Sequence, residues 1–180
     1  ASEVPVDEEI ERVVPVVSGI RAADASIPIS VDTRRTEVAR AALDAGADVV
    51  NLVTGLDPPE GLLDLVAGRD AAIVLNHMRG LPGTTFELSR FGPDVVADVA
   101  ADLARARRRC LVAGIRPDRI FLDPGLGFGK DAAQNFALLD RLAELAPEGT
   151  PLVVGASRKA FLGSLSGRPP AERLPESLGA

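Results

Sequence analysis

Five short apolar runs alternate with longer amphipathic stretches along the chain. The runs at 28–32, 48–53, 72–77, 119–123 and 152–156 are almost continuously apolar and rich in β-branched residues. That composition suits strands of a parallel sheet buried on both faces. The stretches at 7–23, 34–44, 59–67, 93–113 and 133–145 read as helices. Pro93 fits a first helical turn, where its missing N–H would be unpaired anyway. Gly46 and Gly114 sit where helices end and a left-handed residue is often needed. Repeated strand–helix units predict a parallel sheet, hosted by a doubly wound fold or by a (β/α)8 barrel. A full barrel takes about 250 residues, and this chain has 180. The reading is therefore an open five-stranded sheet or an incomplete barrel. A helix at 7–23 with no strand before it, and a helix start at 171–180 with no strand after it, favour the barrel. The expectation is one α/β domain over 1–180: a TIM barrel of about five parallel strands with flanking helices, truncated at both ends.

Three of the strands end on polar residues. The first stops at Asp32, the fourth at Asp123, and the fifth at Ser157-Arg158-Lys159. The second carries Asn51 near its end. C-terminal strand ends are where parallel α/β folds hold their chemistry. A carboxylate closing a buried strand must be hydrogen-bonded. Asp123 either caps the turn that follows or accepts two parallel N–H donors from a ligand. Asn51, Asp32 and Lys159 add an amide, a second acceptor and a cation, and the four together make a polar floor for a flat, hydrogen-bond-rich heterocycle.

The turn Gly125-Leu126-Gly127-Phe128-Gly129-Lys130 does not fit a nucleotide-binding loop. A Walker loop needs Gly where Pro124 stands and Ser or Thr where Asp131 stands, and a dinucleotide fingerprint needs Gly in place of Lys130. These glycines instead allow positive φ or close backbone approach. Lys130 needs no role beyond that of a solvated loop residue. His77 is the only histidine, so no multi-histidine metal site can form; it reads as a residue that closes a strand and orients neighbours. Met78 packs on a flat ligand or fills core. The segment 79–92 reads as a loop on the same side as the polar strand ends.

Bulk properties narrow the function. Net charge is −6, which gives no general attraction to nucleic acid or anionic membrane. Aromatic residues make up 3%, all Phe, too few for a base-stacking platform. No apolar run reaches membrane-spanning length. The single cysteine, Cys110, reads as a small core residue of a cytosolic protein. The arginines at 105, 107, 108 and 109 sit near the negative end of the 93–113 helix, as its dipole favours.

Five segments carry a resemblance to dihydropteroate synthases, the pterin-binding TIM barrels of folate biosynthesis. They are Ile29-Ser30-Val31-Asp32-Thr33, Ala45-Gly46-Ala47-Asp48-Val49-Val50-Asn51, His77-Met78-Arg79-Gly80, Leu122-Asp123-Pro124-Gly125-Leu126-Gly127-Phe128-Gly129-Lys130 and Gly155-Ala156-Ser157-Arg158-Lys159. The resemblance implies condensation of 6-hydroxymethyl-7,8-dihydropterin pyrophosphate with 4-aminobenzoate to give 7,8-dihydropteroate and pyrophosphate. It implies Asp32 and Lys159 as catalytic residues. It implies Asp32, Asn51, Met78, Asp123, Phe128 and Lys159 around the pterin, and Lys159 and Ala160 beside 4-aminobenzoate, near the start of a helix. It also implies magnesium (with its ligand segment outside this sequence), a cytoplasmic homodimer, and neither nucleic acid nor membrane as partner. Two positions depart from the family pattern: Leu52 stands where an Asp is usual, and Ala160 where a longer polar side chain is common. These departures keep open a non-catalytic pterin-binding paralogue; a methyltetrahydrofolate-binding module of a corrinoid methyltransferase is a further alternative. The 180 residues alone are expected to be weakly active or inactive.

Overall fold

A computed structural model describes residues 4–79, 90–147 and 149–180. Its elements run α1 (Val6–Ala23), β1 (Ser30–Asp32), α2 (Thr36–Asp44), β2 (Val49–Leu52), α3 (Leu62–Gly68), β3 (Ala72–Asn76), α4 (Val95–Val112), β4 (Ile120–Asp123), α5 (Ala132–Asp140), α6 (Gly163–Ser166) and α7 (Leu174–Gly179). The four strands form one parallel sheet in the order β1-β2-β3-β4.

Register decides which side chains face the helices. Val31, Val50, Ile73 and Ile120 lie on one rung, and Leu52, Leu75 and Leu122 on another two residues further along. All seven belong to the two buried clusters that the helices also enter. The alternate residues of a strand point to the opposite face. There Asp32, Asn51, Val74 and Phe121 share one rung, and Asn76 and Asp123 share another two residues on. A sequential strand order with helices on one face only is the winding of a barrel, not of a doubly wound sheet. The barrel reading of the sequence holds, for a part of the barrel.

The fifth strand does not form as expected. At 152–156 there is a single parallel bridge, Leu122 to Leu152, closed by Leu122 N–H on the Pro151 carbonyl at 3.1 Å and Val153 N–H on the Leu122 carbonyl at 2.8 Å. Beyond it the chain turns, and Arg158 takes φ +54°. The helix expected at 133–145 stops at Asp140; Arg141 leaves helical geometry and is held by Asp94 at 2.9 and 3.1 Å and by Glu144. Pro93 lies just ahead of α4 rather than in its first turn. The cap is Asp94, whose carboxylate accepts from Val96 and Ala97 N–H at 3.0 and 3.3 Å, and such caps are worth about 1 kcal/mol. The C-terminal helix starts at Leu174, after a short 3-10 turn at Pro170–Glu172. Most of the 79–92 loop lies outside the described residues.

Other expectations stand. Gly46 and Gly114 take φ +106° and +90° just past α2 and α4. Cys110 is fully buried and its thiol is pushed up to about 11 by burial. Arg105 and Arg109 at the end of α4 pair with Asp102 and Asp57. No described helix is long and apolar enough to cross a membrane.

Leu52 is fully buried in the cluster between sheet and helices. Leu52→Ala should lower unfolding free energy by about 2–5 kcal/mol, through lost burial and the cavity left behind. Urea denaturation measures this, and a loss below about 1 kcal/mol would contradict the assigned face.

Candidate functional site at the strand ends

The polar residues singled out from sequence gather at one end of the sheet. Asp32 closes β1 and Asn51 lies beside it on β2. The Asn51 side-chain amide donates to the Asp32 carboxylate at 3.0 Å. Asn51 is therefore oriented by Asp32. Leu52, the departure from the family pattern, points away into the helix layer. Thr33, buried just past β1, donates through its hydroxyl to Glu9 at 2.7 Å, which ties α1 to this rim.

Asp123 closes β4, and its carboxylate accepts the Gly125 N–H at 2.7 Å. The chain can turn that tightly because Gly125, Gly127 and Gly129 all take positive φ, which glycine adopts without penalty. A Cβ on Gly125 would lie 2.0 Å from the His77 carbonyl oxygen, so the turn also presses on the end of β3. Asn135, fully buried on α5, holds the turn from behind. It accepts Gly127 N–H at 2.7 Å and donates to the carbonyls of Lys130 and Asp131 at 3.0 and 2.7 Å. Asp131 and Gln134 form a reciprocal cap that starts α5 immediately after the turn.

Lys159 reaches back over the same turn. Its stem packs against Gly127, its ammonium donates to the Leu126 carbonyl, and it lies 4.8 Å from the centre of the half-buried Phe128 ring. Ala160 is exposed and opens a 3-10 turn, Ala160–Leu162, that runs into the four-residue α6. The helix expected after Lys159 is thus a single turn, too short for much of a dipole. Met78 is almost wholly buried, at 3% exposure.

Lys130 corrects the sequence reading: it is buried, 3% exposed. Its ammonium donates to the carbonyls of Gly125, Phe128 and His77 at 2.9, 3.2 and 3.3 Å. Sequence reasoning missed it because nothing local distinguishes it from a solvated lysine after a turn. His77 does orient neighbours, as expected. It is fully buried, and its Nε2 lies 3.1 Å from Asp102 on α4. Asp102 also accepts from Arg79 at 2.8 Å and Arg105 at 2.8 Å. Asp102 carried no sequence signal, since it sits inside a helix among charged residues.

Burial strips hydration from the charged groups of the site and shifts them. It raises the Asp32 carboxyl, with the Asn51 amide pulling the other way and Glu9 adding to the rise. It raises Asp123, against the Gly125 N–H and the two nearby ammonium groups. Lys159 is lowered by burial, partly offset by Asp123. Lys130 is brought down to about 7 by burial. Burial also pushes Asp102 upward, but hydrogen bonds from His77, Arg79 and Arg105 outweigh it and hold the carboxyl well below its usual range.

A hollow of about 330 Å³ opens at the Asp32 edge, lined by Glu9, Asp32, Thr33 and Val53 among others. Two larger hollows, of about 510 and 520 Å³, lie beside α6 and α7 and between α3 and α4. Neither contains a strand-end polar residue, so size alone does not locate the chemistry. Among the described residues no group of three or more His, Cys, Asp or Glu side chains is placed to hold a metal ion.

A one-face barrel sheet with two carboxylates, an amide and a lysine at its C-terminal rim places the chain among the (β/α)8-barrel proteins with a polar strand-end site. The chain belongs to the pterin binding enzyme family, whose pattern matches residues 1–180. Its relatives include dihydropteroate synthases. It is 42% identical over 181 residues to that of Synechocystis sp., covering 97% of this chain and 60% of the relative. Among solved structures, it resembles Xanthomonas albilineans dihydropteroate synthase with 4-aminobenzoic acid, at 42% identity and TM-score 0.87, covering 99% of this chain and 63% of that one. The same enzyme in complex with 7,8-dihydropteroate gives 41% identity and TM-score 0.85, covering 98% and 63%. The chain therefore spans about 60% of the length of the single-function dihydropteroate synthases it matches, and about a fifth of longer multifunctional relatives.

Asp102 supplies a pH test. Its folded-state affinity for a proton is depressed, so its contribution is present above its ordinary value of 3.8 and is lost as pH falls through the folded value. Asp102→Asn should unfold more easily at neutral pH, by about 3 kcal/mol or more, because Arg79 loses its counter-charge and the buried His77 a charge-assisted hydrogen bond. Its stability should also fall less steeply than wild type below about pH 4. Parallel acid limbs in chemical denaturation would contradict this.

Proposed function

We propose that this chain forms the pterin-holding part of a dihydropteroate synthase. That transferase condenses 6-hydroxymethyl-7,8-dihydropterin pyrophosphate with 4-aminobenzoate, giving 7,8-dihydropteroate and pyrophosphate in folate biosynthesis. The observation that carries the reading is the convergence of Asp32, Asn51, Asp123 and Lys159 on one strand-end rim. Similarity to a structure containing 7,8-dihydropteroate supports it.

In this reading Asp123 accepts the ring N–H and the 2-amino group in parallel, a charge-assisted pair. Asn51 and Lys159 take complementary edges of the ring. β2 and β4 are two strand spacings apart, about 10 Å, a span that suits a flat bicyclic ring lying across β3. Met78 and Phe128 contact its faces. The C–O bond to pyrophosphate breaks with its electrons leaving on the pyrophosphate. The amine lone pair of 4-aminobenzoate then forms the C–N bond, and the nitrogen gives up a proton. Positive charge develops on the pterin methylene, and Asp32, already fixed by Asn51, stabilises it without reorganising. The 4-aminobenzoate lies beside Lys159 and Ala160. Lys159 can serve both substrates because it already spans the turn between Gly127 and Phe128.

Magnesium belongs to the family reading, but the described residues offer no donor set that fits it. Family likeness supports a homodimer, and a single, buried Cys110 suits a reducing cytoplasm.

Calorimetric titration with 7,8-dihydropterin tests the pocket directly. Asp123→Asn should weaken binding about 10–100-fold, the loss of a charge-assisted pair worth about 1.5–3 kcal/mol. Arg116→Ala, which removes exposed pairs with Asp70 and Asp118, should leave binding unchanged. Equal affinities for wild type and Asp123→Asn would sink the assignment.

A further inference from the structure

Lys130 is the least expected group near the pocket. A buried lysine costs folding free energy unless its charge is fully engaged. Here the ammonium has three carbonyl partners, as many as it has protons. The partners come from two places. Gly125 and Phe128 stand on the two limbs of the glycine-rich turn, while His77 terminates β3. One side chain thus fastens the turn to the neighbouring strand. It does so between Asp123, which heads the turn, and Phe128, which Lys159 covers from the other side.

The charged and titratable groups around this ammonium come from every neighbouring element. Asp123 at the end of β4 favours its charge, and so does Asp102 on α4. Lys159 and Arg79 oppose it. His77 sits at the end of β3, held largely neutral by burial. The Phe91 ring lies 5.9 Å away.

We propose that Lys130 is a positioning residue for the pterin: its ammonium clamps the glycine-rich turn onto the end of β3 and acts as the buried counter-charge of Asp123. The inference rests on the pterin reading of the pocket. Lys130 never touches the ring; it works through Asp123, Phe128 and the backbone of His77. It also makes the pocket pH-sensitive. Burial brings the ammonium down to about 7, so the clamp loses a proton, and with it one donor and the charge, as pH rises through neutrality. Burial pushes His77 the same way, downward from its ordinary 6.5 and away from that range.

The test is 7,8-dihydropterin affinity by calorimetry from about pH 6.5 to about pH 8.5, for wild type and Lys130→Met. Ionisation of the ring is common to both chains and cancels in their ratio. At the acid end Lys130→Met should bind about tenfold or more weakly, the loss of charge-assisted hydrogen bonds that hold the acceptors in place. At the alkaline end the gap should shrink to about threefold or less, because the wild-type amine is then neutral too. A role confined to folding would lower stability and leave the affinity ratio constant with pH. A constant ratio, or equal affinities throughout, overturns the inference while the pterin reading survives. If wild type binds no pterin at any pH, the pterin reading itself fails and takes the inference with it. Should Lys130→Met not fold, carbon NMR of the Lys130 side chain in wild type decides. A titration midpoint near neutrality that moves upward when pterin binds supports the clamp, and a midpoint in the ordinary lysine range refutes it.

Discussion

The register of four parallel strands aims the polar strand ends on which the rest of the site is assembled. Because Asp32 is paired with Asn51, and Asn76 with Asp123, the strand-end polar groups all lie on the face away from the helices. A slip of one residue would drive Asp32, Asn51 and Asp123 into the apolar layer and turn Leu52 and Leu122 out of it. The cost of that exchange keeps the register unique. The hydrophobic layer between sheet and helices is therefore also what aims the site.

The rim is built from groups that each solve a burial problem. Asp123 gives up water and accepts one backbone N–H, with two nearby ammonium groups offsetting part of the loss. The glycine-rich turn exposes carbonyls that need donors, and Lys130, Lys159 and Asn135 provide them. Asp102 gathers His77, Arg79 and Arg105, so the segment leaving β3 is anchored to the middle of α4. These contacts are coupled through shared atoms and do not add independently. In the proposed function, a flat ring arriving at this rim meets acceptors and donors that are already oriented. That arrangement favours binding without a large ordering cost.

Much of this was legible in the sequence because it rests on local rules. Apolar β-branched runs gave four strands within a residue or two of their ends. The polar residues that stop those runs gave Asp32, Asn51 and Asp123. The glycine-rich turn read as one needing positive φ or close backbone approach, and Gly125, Gly127 and Gly129 take positive φ while Gly125 also lies against the His77 carbonyl. What stayed hidden depends on distant partners. Lys130 looked solvated because its three carbonyl acceptors come partly from a strand more than fifty residues away. Asp102 looked like one charge among many on α4. The run at 152–156 has the composition of a strand but makes one bridge only, since pairing depends on neighbours and not on propensity alone.

In the proposed function one strand-end rim grips one pterin ring. A crystal structure of the protein with bound 7,8-dihydropterin tests it most directly. The ring should lie across the end of β3, with the Asp123 carboxylate within hydrogen-bonding distance of both the ring N–H and the 2-amino group, and with Asn51 and Lys159 on its other edges. A ring bound at the opposite end of the sheet, or one in contact with only a single member of that set, would contradict the account.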